Sequence, residues 1–191
     1  MAVSIIPFKM PEPMEIPEHI IAMLRELPNH EAVSKAMELL IQIDAAHTII
    51  YESVDDDGNL HLQDVLSTDG TVAASLKQQL ESGAIYGKRL TAMESDSLAA
   101  QAFAQESSLL VMGELAGGTE KSLPADLAKH LLAGADSGNV GFIYVLLFNG
   151  ADDRPLGAIT LIRQFEEGPL NHEQPNITEG VRQELCSILG A

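Results

Sequence analysis

Catalysis and metal binding need side chains that converge, so the first question is whether the reactive residues of this chain are spaced to meet. The six histidines, His19, His30, His47, His61, His130 and His172, are scattered, and no two stand at helical ligand spacing. Asp55, Asp56, Asp57 and Asn59 have the composition of a calcium loop. Counted from Asp55, such a loop needs Gly at its sixth position and Glu at its twelfth, and those positions hold Leu60 and Leu66. The run reads as a solvated turn. Gly113, Gly117 and Gly118 lack the Lys-Ser/Thr of a phosphate loop, and Ser107-Ser108 stands in no nucleophile motif. The one cysteine, Cys186, shares an apolar helical stripe with Val181, Leu185 and Leu189, where a thiol packs as a small hydrophobe. The sequence therefore predicts no catalytic residue, no metal site and no enzyme.

Polar handles on apolar strands are the remaining candidates. Tyr51, Tyr144 and Thr160 each interrupt a hydrophobic run and could orient a ligand; as ordinary sheet residues they would only satisfy their own polar atoms. Period-two alternation puts Phe142, Tyr144, Leu146 and Phe148 on one face of their strand and Ile143, Val145 and Leu147 on the other.

The elements that must position these residues follow from pattern. Pro7, Pro11, Pro13 and Pro17 make residues 1–17 a Pro-rich extended arm, ahead of a single domain over 18–190. Helices are expected over 18–27 and 30–45, the second carrying Val33, Met37, Leu40 and Ile41 as one stripe. Strands follow over 47–54 and 60–66 around the Asp55–Asn59 turn, which makes a hairpin. Further helices are expected over 72–82, 95–105 and 124–133, with a short strand over 108–112. A second hairpin is formed by 141–148 and 156–163, and a closing helix runs over 178–189. Hairpins at both ends of this order imply a mostly antiparallel sheet.

Composition limits the partners. Of 191 residues, 28 are acidic and 11 basic, for a net charge of -17, a field that repels phosphate backbones and anionic lipid. Nucleic acid and membrane surfaces are therefore not expected, and a basic protein partner is possible. Aromatic residues make up 4%, too few for a base-stacking platform. With a single cysteine, no signal peptide and no apolar run of membrane length, the chain is expected to be cytoplasmic.

The order of elements resembles that of GAF domains over residues 31–190. AMELLIQIDAAHTIIYES is similar to the family's entry, SLAAQAFAQESSLLVM to its small-residue helix and short strand, and GFIYVLLFNGADDRPLGAITLIRQF to its last hairpin, with Gly157 opening the returning strand. The resemblance implies an α+β, GAF-like (profilin-like) three-layer α/β/α fold. A central, mostly antiparallel sheet would carry the N- and C-terminal helices on one face and short helices and loops on the other. It also implies a lid-covered pocket lined by the sheet, the helix around Ser97 to Phe103 and the helix around Leu127 to Leu131. Ligand-binding candidates are then Tyr51, Ser97, Phe103, Tyr144 and Thr160. The function implied is a non-enzymatic sensory domain that binds a small molecule and signals through helix-mediated homodimerisation. The alternative is an interaction module with a vestigial pocket. No cofactor is indicated. Cyclic-nucleotide relatives carry an Asn-Lys pair, and no Asn here precedes a Lys. Bilin-binding relatives use a pocket Cys, and methionine-sulfoxide reductases of this fold use several, against the one thiol here.

Overall fold

In the computed structural model the described residues are 4–70, 73, 74, 78, 88, 89, 98–113, 141–163 and 167–191. The expected helices over 72–82 and 124–133 lie largely or wholly outside them, as does Ser97.

Seven strands form one sheet among these residues: β1 (Ser4–Pro7), β2 (Thr48–Val54), β3 (Asn59–Ser67), β4 (Lys88–Arg89), β5 (Leu109–Gly113), β6 (Gly141–Asn149) and β7 (Pro155–Arg163). Their spatial order is β1-β5-β6-β7-β2-β3-β4, and each pairing is antiparallel. The three most apolar runs, β6, β7 and β2, lie in the middle, where both faces are covered. The Pro-rich arm starts as an edge strand, as its prolines require. Phe8 N–H donates to Ser108 O at 2.7 Å, so by alternation the nitrogen of Pro7 points away from β5 and no ladder bond is lost.

Four helices are described: α1 (Glu18–Glu26), α2 (Asn29–Gln42), α3 (Leu98–Ala104) and α4 (Gln174–Leu189). The first two and the last cover one face of the sheet. Their core joins Leu24, Val33, Met37 and Leu40 to Ile49, Leu146, Phe148, Ile159, Leu161, Val181 and Leu185. On the other face α3 packs its small residues, Ala99, Ala100 and Ala102, against Ile50, Val145, Leu147, Ala158 and Ile162. This is the α+β, GAF-like layering that the resemblance implied.

Two boundaries differ from expectation. The second helix stops at Gln42, because Asp44 turns left-handed (φ 58°) and Ala45 N–H bonds back to Leu40 O. The last helix begins at Gln174, four residues early: Pro175 stands in its first turn, where a missing N–H costs nothing.

Side chains fix the hairpins. Asp55 Oδ1 accepts from the backbone N–H of Asp57 and Asn59, and Oδ2 meets His61 Nε2 at 2.6 Å, so the acidic run is a turn clasped by its own first residue. Those contacts, led by the Asn59 N–H, hold the Asp55 carboxyl well below the usual range. A bulge across Tyr51 and Glu52 brings Asp64 opposite Tyr51 and Leu62 opposite Glu52. Asp64 Oδ2 accepts from Ser34 Oγ at 2.6 Å and so pins α2 to β3.

Candidate functional site

The register of the sheet separates the candidate ligand residues. Residues opposite one another in an antiparallel pair share a face. Thr160 lies opposite Ile50 on β2 and Val145 on β6, which belong to the core under α3. Tyr51 lies opposite Ile159 and Tyr144 opposite Leu161, both in the core under α1, α2 and α4. The structure thus brings Thr160 and Phe103, a half-buried residue of α3, to one face and the two tyrosines to the other. The separating signal was available in the sequence, as the parity of each position once the hairpin registers are set.

Thr160 is 3% exposed. Its strand neighbours on this face are Ala158 and Ile162. Thr48, opposite Ile162, and Glu52, opposite Ala158, share this face, so Thr160 is one of a few polar side chains on a mostly apolar sheet surface, with Leu98, Ala99 and Ala102 of α3 in the same cluster. A ligand beside Thr160 would find van der Waals surface and a hydroxyl that both donates and accepts.

The tyrosines are built differently. Tyr144 Oη accepts the Leu170 N–H at 2.9 Å, and the Phe8 ring stands edge-on to the Tyr144 ring with centroids 5.2 Å apart. The ring of Tyr51 is 6.3 Å from that of Phe148. Burial raises both phenol pKa values. Cys186 is also on this side, and its Sγ is 3.6 Å from Arg182 Nη1. Burial pushes its thiol up, outweighing the Asn149 N–H and the Arg182 charge.

A polar cluster that sequence reasoning missed sits where α2 passes to β2 and β7 to α4. Arg163 is 1% exposed, and its guanidinium donates to three main-chain carbonyls: Asp44 from one loop, Glu167 and Gly168 from the other. Asp44 and Gly168 have φ of 58° and 68°, left-handed conformations that occur at both ends of this clasp. Gln174 Nε2 reinforces it, donating to Ile43 O and Asp44 O. An arginine closing a strand carries no motif, which is why pattern alone does not find it.

His47 borders the cluster, with Nδ1 3.4 Å from Glu167 Oε2 but poorly aligned for a hydrogen bond. Burial lowers its pKa, the Glu167 carboxylate opposes that shift, and Arg163 adds to it. The neutral ring is thus favoured in the folded protein, and the unfolded chain binds more protons just below pH ~6.5, the ordinary histidine value. The contribution of His47 is fully present above that pH and lost as the pH falls. Melting temperatures between pH 7.5 and 5 should therefore fall less steeply for His47→Gln than for the wild type. Equal slopes would show that His47 does not carry this linkage.

Among the described residues no three His, Cys, Asp or Glu side chains come together as metal ligands, and no helix is long and apolar enough to cross a membrane.

No protein-family model and no curated protein matches this chain. Solved structures do. The GAF domain/HD domain protein from Geobacter sulfurreducens is 12% identical, with 88% of this chain and 95% of that one covered at a TM-score of 0.57. The free methionine-R-sulfoxide reductase from Neisseria meningitidis, solved with its substrate, is 11% identical, with 90% and 84% covered at 0.54. The phycoerythrobilin-bound GAF domain from a cyanobacterial phytochrome is 8% identical, with 91% of each covered at 0.52. At these identities the likeness is one of fold, and the fold is that of GAF domains.

Proposed function

We propose that this chain is a non-enzymatic sensory domain that binds a small molecule on the α3 side of its sheet and signals through its helical layer, by pairing with a second copy. The observation that carries the reading is Thr160, a nearly buried polar residue on a mostly apolar face beside α3. Two proteins of the same fold were solved with a bilin and with a substrate, so this architecture can hold small molecules in those proteins. The chain's one thiol lies on the opposite side of the sheet from Thr160, which speaks against cysteine chemistry on a ligand held there. Phe103 gives the ligand an aromatic contact, and Ser97, one residue before α3, adds a second hydroxyl to the proposal. Tyr144 and Tyr51 act indirectly in this reading, by linking the sheet to the helical layer. An acidic surface and a cytoplasmic setting complete it, with a basic protein as a further possible partner.

A ligand that favours one arrangement of the α3 side shifts the population of helical arrangements by its differential affinity for the two. Native mass spectrometry of freshly purified protein beside its denatured mass tests the reading: extra mass lost on denaturation is the expected result. Thr160→Val keeps the shape and removes the hydroxyl. It should reduce ligand retention by roughly 3- to 10-fold, the value of one neutral hydrogen bond, and leave the circular dichroism unchanged. Full retention in the variant would remove Thr160 from the site. The close small-residue packing of Ala99, Ala100, Ala102 and Ala158 favours a second reading, an interaction module with a vestigial pocket. A ligand-free dimer would select it.

A further inference from the structure

The N-terminal arm runs from the edge of the sheet to the helical layer. Ser4–Pro7 pairs with the outer edge of β5, and Phe8 N–H donates to Ser108 O at the start of that strand. The Phe8 ring then stands on Tyr144. Further along, the arm lies in a groove on α4: Asn176 Nδ2 donates to Glu12 O at 2.8 Å, and Met14 N–H donates to Asn176 O at 2.9 Å. One turn on, Gly180 faces the Met14 carbonyl so closely that a Cβ there would collide with it, and Ile16 is buried in the helix-face core. Pro17 leads directly into α1, which the Arg25–Glu184 ion pair ties to α4 at 2.6 Å.

We infer that residues 4–16 are a strap, hinged at Pro17, that opens and closes as one unit, so that the cover on the β5 edge and the contact with α4 are lost and regained together. The strap is lightly held. Between Ile5 and Pro17 only Ile16 is buried, with Phe8, Met10 and Met14 half-buried. Ile5 and Ile6 are the exposed large hydrophobic residues among those described, at 37% and 40%. A segment with so few buried contacts opens at lower free energy than the core beneath it. The strap is also stiff. Pro7, Pro11 and Pro13 fix φ at their own positions and keep Ile6, Met10 and Glu12 extended. A proline-stiffened stretch does not take up a displacement at one end by rearranging its middle, so loosening either end loosens both. Closed, the strap pairs the outer edge of β5, whose N–H and C=O groups would otherwise be open to another strand. Open, it bares that edge, the Tyr144 ring and the Gly180 face of α4 at once. The device needs neither a ligand nor a second chain, and so stands apart from the proposed function.

Hydrogen exchange of the full chain, followed amide by amide by NMR, tests the strap. By alternation from Phe8, the Leu110 N–H bonds to Ile6 O, so Phe8 and Leu110 report on the β5 end and Met14 on the α4 end. In the wild type these three amides should share a protection factor within roughly 3-fold, ~10-fold or more below that of Leu161 in the central strand β7. Gly180→Ala favours the helix itself and acts only at the α4 end. It should lower protection at Phe8 and Leu110 by the same factor as at Met14, ~10-fold or more, with Leu161 remaining the best protected. Phe8→Ala, at the other end, should lower Met14 as much as Leu110, and it decides the matter if Gly180→Ala does not fold. Protection that falls only at the substituted end would overturn the inference. Arm amides protected as strongly as Leu161 would also overturn it, because the arm would then open only with the core.

Discussion

Arg163→Met should lower the stability of this protein by about 3 kcal/mol, a larger loss than any surface substitution would give. The replacement fills most of the volume of the guanidinium stem but supplies no donor, so the carbonyls of Asp44, Glu167 and Gly168 lose their partner in a site that is 1% exposed. An unsatisfied buried carbonyl costs about 1 to 3 kcal/mol, and three are at stake, of which Asp44 O keeps the Gln174 amide. For a chain of this size the expected shift is roughly 6 to 12 °C in melting temperature. Arg163→Lys restores the charge but presents one nitrogen where three positions are needed, and it should recover little of the loss. A thermal melt of Arg163→Met within 2 °C of the wild type would mean that the clasp is replaceable by water.

The clasp shows which part of the molecule was legible in its sequence. The hairpins were, because β-branched runs flanking Asp55–Asn59 and the NGADDRP turn state both the period and the reversal. The assignment of Phe142, Tyr144, Leu146 and Phe148 to one face followed from period two, and the structure keeps Tyr144, Leu146 and Phe148 in one core with Phe142 packed against it. Pairing partners outside the two hairpins were not legible. That Thr160 lies opposite Val145 follows from the β6–β7 turn, but that it lies opposite Ile50 does not, because register across non-consecutive strands such as β2 and β7 is set by tertiary packing, not by a turn. The same limit hid Arg163. A basic residue at the end of a strand reads as solvated until two left-handed loops fold over it and direct their carbonyls inward. The arm was legible as extended, because proline forbids the alternatives. That it runs along α4 was not, since the groove is made by an asparagine and a glycine whose roles are carried by main chain.

Gly157→Ala is the other substitution with a large expected effect, about 2 to 3 kcal/mol of destabilisation, the upper range for overpacking. Gly157 stands opposite Phe148 on β6 and Ser53 on β2, between two of the central strands. A Cβ at this position would lie 2.5 Å from Glu52 O and 3.3 Å from both Ser53 Cα and the Tyr51 ring. The first contact is with backbone, which cannot rotate aside. Relief must come from moving β2 away from β7 or from tilting Tyr51, and Tyr51 is in ring contact with Phe148 inside the helix-face core. The strain therefore spreads into the layer that the proposed signalling uses, whereas a cavity of the same energy would stay local. Gly157→Ala with Tyr51→Leu relaxes only the ring contact. If the backbone contact dominates, the double variant should remain as unstable as the sum of the two single ones; recovery of more than about 1 kcal/mol in a double-mutant cycle would assign the strain to the ring. In either case Gly157 is held by the close approach of β2 at the bulge beside Tyr51, so the residue that resembles a family signature is explained here by packing alone.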